Sequence, residues 1–192
     1  MGIVSRKAHL RREILKKLSN QKEEERRKKS RIIKHKLFNS VEFRKAKVIM
    51  FYISLDGEVD TAEMIREARK KGKIIAVGIC DNDKKTLRPV LMGVNERLKK
   101  GLYGVKEPLF PKEIPLDSID LVITPGVAFD KKGMRLGRGL GFYDRFLKQI
   151  PPKTYRIGLA FSFQREVYWV RNCLTFWLIT LPSARPLKRD IA

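Results

Sequence analysis

Short apolar runs, separated by stretches long enough for a helix, constrain the fold of this chain more than any other feature. Lys47 to Ser54 (KVIMFYIS), Lys73 to Ile79 (KIIAVGI), Ile119 to Thr124 (IDLVIT) and Arg156 to Phe161 (RIGLAF) each read as a buried strand. Between the first two, Asp60 or Thr61 caps a helix that runs through Lys71. Gly72 suits the position just past its end. Strand, helix and strand at this spacing make a βαβ unit with parallel strands and a right-handed crossover. Asp81 to Lys85 reads as a turn, Leu87 to Met92 as a third strand, residues 93–117 as loop, and Phe142 to Gln149 as a short helix. The alternation predicts a three-layer α/β sandwich, Rossmann-like, with a mostly parallel central sheet.

Two helices are expected ahead of the first strand and packed on the core. Residues 5–18 place Leu10, Ile14, Leu15 and Leu18 at helical spacing, and Ser19-Asn20 is a break. Residues 21–40 are dense in charge, with a thin apolar side of Ile32, Ile33 and Leu37. The length of 192 residues suits one domain, 1–192, with residues 1–40 as a helical segment and residues 165–192 as an atypical tail.

Lysine and arginine number 43 against 21 acidic residues, a net charge of +22. Such a surface attracts polyanions, among them nucleic acid, nucleotides and polyglutamylated small molecules, without choosing between them. No run of about 18 apolar residues occurs, so no membrane span is expected. Met1 to Leu18 lacks the apolar core of a secretory signal, and a cytoplasmic protein is expected. Cys80 and Cys173 show neither metal spacing nor a disulfide framework.

The chemistry concentrates in Thr124 to Leu147 (TPGVAFDKKGMRLGRGLGFYDRFL). A strand ends, a loop follows, and Gly137, Gly139 and Gly141 alternate just ahead of a helix. Glycines there let backbone N–H groups approach an anion, and the helix start adds positive potential. Arg135 and Arg138 add guanidinium forks for phosphate oxygens. Asp144 offers a hard oxygen of the kind Mg²⁺ takes beside phosphates. The pattern is neither the dinucleotide G-x-G-x-x-G nor a Walker A loop.

The string R-L-G-x-G-x-G-x-Y-D from Arg135 to Asp144, preceded by P-G-x-x-F-D from Pro125 to Asp130, resembles the signature of the 5-formyltetrahydrofolate cyclo-ligase family. Lys7 and Arg11, i,i+4 neighbours on one helix, resemble the family's K-x-x-x-R, which contacts ATP. Phe51 to Thr61 resembles the strand and loop lining the folate pocket, with Ile53 and Glu58 at substrate-contacting positions. Tyr103 to Pro108 matches an aromatic-x-x-x-x-Pro loop, and Gly158 to Phe161 a late strand.

The resemblance implies ATP-dependent conversion of 5-formyltetrahydrofolate to 5,10-methenyltetrahydrofolate through a phosphorylated formyl group. It implies Arg135 and Arg138 as catalytic cations. It assigns ATP binding to Lys7, Arg11, Arg135, Leu136, Gly137, Arg138, Gly139, Leu140, Gly141, Phe142 and Tyr143. Folate binding falls to Ile53, Glu58, Tyr103, Arg138, Gly139, Leu140, Gly141 and Phe142, and Mg²⁺ to Asp144. A monomer acting on a folate that can carry a polyglutamate tail is expected. The tail departs from the family: Val167 to Arg189 holds no acidic residue but both tryptophans, Trp169 and Trp177. That points to a change of reading frame near Arg165 and leaves a second metal ligand unassigned, although Thr175 to Thr180 still suits an edge strand. The competing readings are a basic nucleic-acid-binding protein, disfavoured by the absence of a recognisable motif, and an inactive folate- or nucleotide-binding member of the same fold.

Overall fold

The computed structural model describes residues 3–94, 96–130, 133–165 and 177–180. Among them the expected strands appear as β1 (Val48–Phe51), β2 (Ile74–Asp81), β3 (Thr86–Leu91), β6 (Leu121–Thr124) and β9 (Tyr155–Ala160). Two short hairpins, β4 (Leu98–Lys100) with β5 (Lys106–Pro108) and β7 (Ala128–Phe129) with β8 (Arg135–Leu136), lie outside the main sheet. The main sheet is completed by β10 (Trp177–Thr180) and has the order β10-β9-β6-β1-β2-β3. β9, β6, β1 and β2 run parallel, and the two edge strands are antiparallel to their neighbours. β1 reads as a nearly unbroken apolar run because Ile49, Met50 and Phe51 are each fully buried, with helices on both faces.

One face is covered by α1 (Ile3–Ser19), α2 (Glu23–Asn39) and α4 (Ala62–Lys70). Ile14 and Leu18, Ile33 and Leu37, and Met64, Ile65 and Ala68 form one cluster with Ile49, Phe51 and Ile123. On the other face α5 (Phe142–Gln149) inserts Phe142 and Phe146, with Ile150 just beyond, against Met50, Ala76 and Val122. These are the three layers of the expected sandwich. Lys34 ties α2 to α4 through Glu63 at 2.7 Å and Glu67 at 2.5 Å.

Several local expectations need correction. Residues 93–117 are not plain loop but hold the β4–β5 hairpin and two short 3-10 turns, Leu102–Gly104 and Leu116–Ser118. A further helix, α3 (Val41–Lys45), follows α2 because the Ser40 hydroxyl accepts the Phe43 N–H at 3.2 Å. β1 stops at Phe51 rather than Ser54, because the chain turns where the Glu58 N–H meets the Leu55 carbonyl at 3.1 Å. At α4 it is Asp60 whose side chain accepts the Ala62 N–H, at 2.9 Å, while Thr61 donates to the Tyr52 carbonyl at 2.7 Å. The expected edge strand is β10; the frame change near Arg165 concerns residues that mostly fall outside those described.

Phe146 is fully buried between α5 and the sheet, beneath the segment that carries the glycines. Phe146→Ala is expected to destabilise the fold by about 3–5 kcal/mol. Urea titration followed by circular dichroism measures it, and a loss below about 1 kcal/mol would show that α5 is not held by this contact.

Candidate active site

The chain passes from β1 to β2 on one side and later places β6 on the other. The strand order therefore reverses beside β1, and in open parallel sheets such a point leaves a crevice at the carboxyl ends of the strands. A cleft of about 900 Å³, including its open mouth, lies there. Tyr52, Ile53 and Glu58 line it after β1, Gly78 and Cys80 on β2, Pro125 to Val127 after β6, and Tyr103 on the β4–β5 hairpin. Gly137, Arg138 and Leu140 to Asp144 form the remaining wall, with Arg135.

The glycine segment turns sharply into α5. Gly141 has φ +72° and Gly139 φ +115°, backbone that side chains with a Cβ rarely adopt. Arg11 reaches the turn from α1 and donates from Nε to the Gly137 carbonyl at 2.9 Å. Arg138 crosses the cleft and donates from Nη2 to Oε1 of Glu58 at 2.9 Å, with Nε at 3.3 Å. The other oxygen of Glu58 accepts the Leu55 N–H at 3.0 Å. Glu58 is thus a buried carboxylate with a cation and a backbone donor, the pairing that makes a buried charge tolerable.

Arg135 pairs with Asp144 and stands over the Tyr143 ring, 5.4 Å from its centre. Tyr103, itself at φ +57°, meets the Phe142 ring edge-on at 5.6 Å. Burial pushes the hydroxyls of Tyr52 and Tyr143 well above the usual tyrosine range, so both stay neutral donors at physiological pH. Burial, and then the nearby Glu107 carboxylate, push the Cys80 thiol up as well. Cys80 is therefore a wall of the cleft rather than an activated nucleophile.

Most of the residues singled out in the sequence meet here. Ile53, Glu58, Tyr103, Arg135, Gly137, Arg138 and Leu140 to Asp144 line the cleft, and Arg11 touches it from α1. Lys7 is exposed one turn before Arg11, off the cleft wall. Leu136 turns away from the cleft: its side chain packs on the core, and its carbonyl accepts the Val127 N–H at 2.8 Å. Gly139 lies within the turn, 3.9 Å from Arg11 Cζ when given a Cβ, but not on the described wall.

Two arginines escaped the sequence reading. Arg26 donates to the Glu58 carbonyl at 2.8 Å while bound to Glu23 at 2.7 Å. Arg145 donates to the Leu140 and Lys85 carbonyls. Nothing in their local sequence separates them from the other basic residues.

Among the described residues no group of three or more His, Cys, Asp or Glu side chains could enclose a metal ion. Asp144 is a single carboxylate, 58% exposed. It fits Mg²⁺ only in the manner in which phosphate oxygens and water supply the remaining ligands. None of the described helices is long and apolar enough to cross a membrane.

A glycine-rich turn with two arginines, set at the switch point of a mostly parallel sheet, defines an α/β protein whose cleft wall presents cations and backbone suited to an anion. The model of the 5-formyltetrahydrofolate cyclo-ligase family matches residues 3–167. The chain belongs to that family, which is a family of enzymes. It is 30% identical over 171 residues to the 5-formyltetrahydrofolate cyclo-ligase of Mus musculus, covering 83% of this chain and 84% of that one. It is 36% identical over 131 residues to the enzyme of that name from Haemophilus influenzae, covering 66% and 70%. The NMR structure of Aquifex aeolicus 5,10-methenyltetrahydrofolate synthetase superposes with a TM-score of 0.74 at 32% identity, over 91% of this chain and 86% of that one. The Mycoplasma pneumoniae synthetase, with a TM-score of 0.68 at 23% identity over 86% and 91%, shares the fold.

Proposed function

We propose that this chain converts 5-formyltetrahydrofolate to 5,10-methenyltetrahydrofolate at the expense of ATP, releasing ADP and phosphate. The observation that carries the proposal is the meeting of Arg138 with Glu58 across one cleft. A phosphate-type cation and a buried carboxylate suited to the N–H groups of a pterin ring stand within hydrogen-bond distance there.

In this reading the formyl oxygen of the folate attacks the γ-phosphorus of ATP and ADP leaves. N10 then attacks the formyl carbon and releases its proton to solvent, the ring closes, and the former formyl oxygen departs with phosphate. Phosphoryl transfer demands mainly positioning and charge stabilisation, and the residues suit that demand. Arg135, Arg138 and the N–H groups of Gly137 to Tyr143 hold the transferring phosphate. Arg11 and Lys7 attend the rest of the triphosphate, with Gly139 and Leu136 shaping the turn. Glu58 orients the pterin, while Ile53, Tyr103, Leu140 and Phe142 give it apolar walls. Mg²⁺, when bound, would neutralise phosphate charge, held by Asp144. The reading places the enzyme in the cytoplasm as a monomer, and the net charge of +22 suits a polyglutamate tail on the substrate.

Labelling the formyl oxygen with ¹⁸O tests the route: the label is expected in the released phosphate, and its retention in water or folate contradicts the phosphorylated intermediate. Asp144→Asn is expected to raise the Mg²⁺ concentration for half-maximal rate by roughly tenfold or more, since one close charge–charge interaction is worth about 1 kcal/mol in bulk water and about 4 kcal/mol near a protein surface. An unchanged Mg²⁺ titration would remove Asp144 from that role.

A further inference from the structure

Arg145 lies one residue beyond the glycine-rich string, on α5, and is not among the described residues lining the cleft. Its guanidinium nevertheless serves the cleft wall. Nη2 donates to the Leu140 carbonyl at 2.5 Å, and Nε donates to the carbonyl of Lys85 in the turn between β2 and β3. Its backbone N–H closes the first turn of α5 on the Gly141 carbonyl at 3.1 Å. Gln149 adds a second tie between α5 and β3, with Nε2 3.2 Å from the Thr86 hydroxyl.

A peptide group is planar and trans, so its carbonyl and its N–H point in opposite directions. The Leu140 carbonyl is pinned to Arg145, outside the wall. The N–H of the same peptide, on Gly141, therefore points away from Arg145, and Gly141 itself lines the cleft. The position demands glycine: φ is +72°, and a Cβ would stand 2.7 Å from Arg145 Nη1.

We propose that Arg145 is a positioning residue for the nucleotide: it fixes the Leu140–Gly141 peptide so that the Gly141 N–H meets a phosphate oxygen. It does so by joining the glycine turn to the β2–β3 turn, which holds Lys85 at φ +52°. The inference rests on the ATP-dependent reading above.

Arg145→Ala and Arg145→Lys, assayed beside the wild type, test it through separate KM values. The KM for MgATP is expected to rise about tenfold in Arg145→Ala, the worth of one well-placed hydrogen bond to a charged group, with the KM for 5-formyltetrahydrofolate changed less than about threefold. Lysine keeps the charge but lacks the planar fork whose Nε and Nη2 face two separate carbonyls, so Arg145→Lys is expected to recover only part of the loss. Guanidinium ion added to Arg145→Ala is expected to lower the KM for MgATP. A folded Arg145→Ala protein with an unchanged KM for MgATP overturns the proposal, as does an equal rise of both KM values. If Arg145→Ala does not fold, calorimetric binding of a non-hydrolysable ATP analogue to Arg145→Lys decides, and wild-type affinity overturns it. If the wild type itself shows no ATP-dependent turnover, the functional reading fails instead, and the same calorimetry still reports on Arg145.

Discussion

Arg138→Ala is expected to lower kcat/KM for cyclisation by about 10³-fold, in the range found when one preorganised donor or an arginine that stabilises phosphoryl transfer is removed. The side chain is the one cation seen spanning the cleft between the glycine turn and Glu58 among the described residues. Its loss removes charge stabilisation from the transferring phosphate and leaves the Glu58 carboxylate with the Leu55 N–H as its remaining donor among the described residues. Stability should fall by only about 1 kcal/mol, because the Arg138 side chain is 43% exposed and its pairing is screened by solvent. A steep loss of rate in a protein that still folds is therefore the diagnostic pattern. Arg138→Lys keeps the charge but not the fork, and should retain only a minor part of the rate. Steady-state kinetics beside a thermal melt measure both quantities. A rate within about tenfold of wild type for Arg138→Ala would remove it from the chemistry.

Glu58→Gln is expected to raise the KM for 5-formyltetrahydrofolate by roughly 30- to 100-fold, equivalent to about 2–3 kcal/mol for a charged hydrogen bond made to the ligand. The change keeps the volume of a side chain that is 11% exposed, so packing is preserved while the charge is lost. The KM for ATP should move far less, which separates a pterin-orienting group from a general defect of the cleft. Arg138 and Glu58 touch, so their effects should not be independent. The double variant is expected to lose less than the product of the single losses. Full additivity would mean that the 2.9 Å contact carries no energetic coupling.

The fold was legible where burial on both faces writes itself as an apolar run. β1, β2, β6 and β9 are of that kind, with Leu121 to Thr124 buried at every position. The β4–β5 hairpin left no such mark, because Leu98 to Lys100 are exposed and carry no alternation. The β7–β8 pair is two residues long on each side, too short for any periodicity. In the site, the glycine turn was legible because its backbone demands a rare residue pattern. Glu58 was not legible by itself; only its place in a motif distinguished it from a loop acid. Arg26 and Arg145 could not be found from the sequence, since each is set in place by a carbonyl far along the chain, 32 residues away for Arg26 and 60 for Arg145. Their placement is fixed by tertiary geometry, and 43 basic residues offer no local contrast.

The central claim is tested most directly by following absorbance in the methenyltetrahydrofolate band with 5-formyltetrahydrofolate, Mg²⁺ and ATP, and with ATP omitted. The account predicts a rise that requires both ATP and this protein and that is lost in Arg138→Ala. A folded wild-type protein that binds 5-formyltetrahydrofolate but gives no rise with ATP would contradict it.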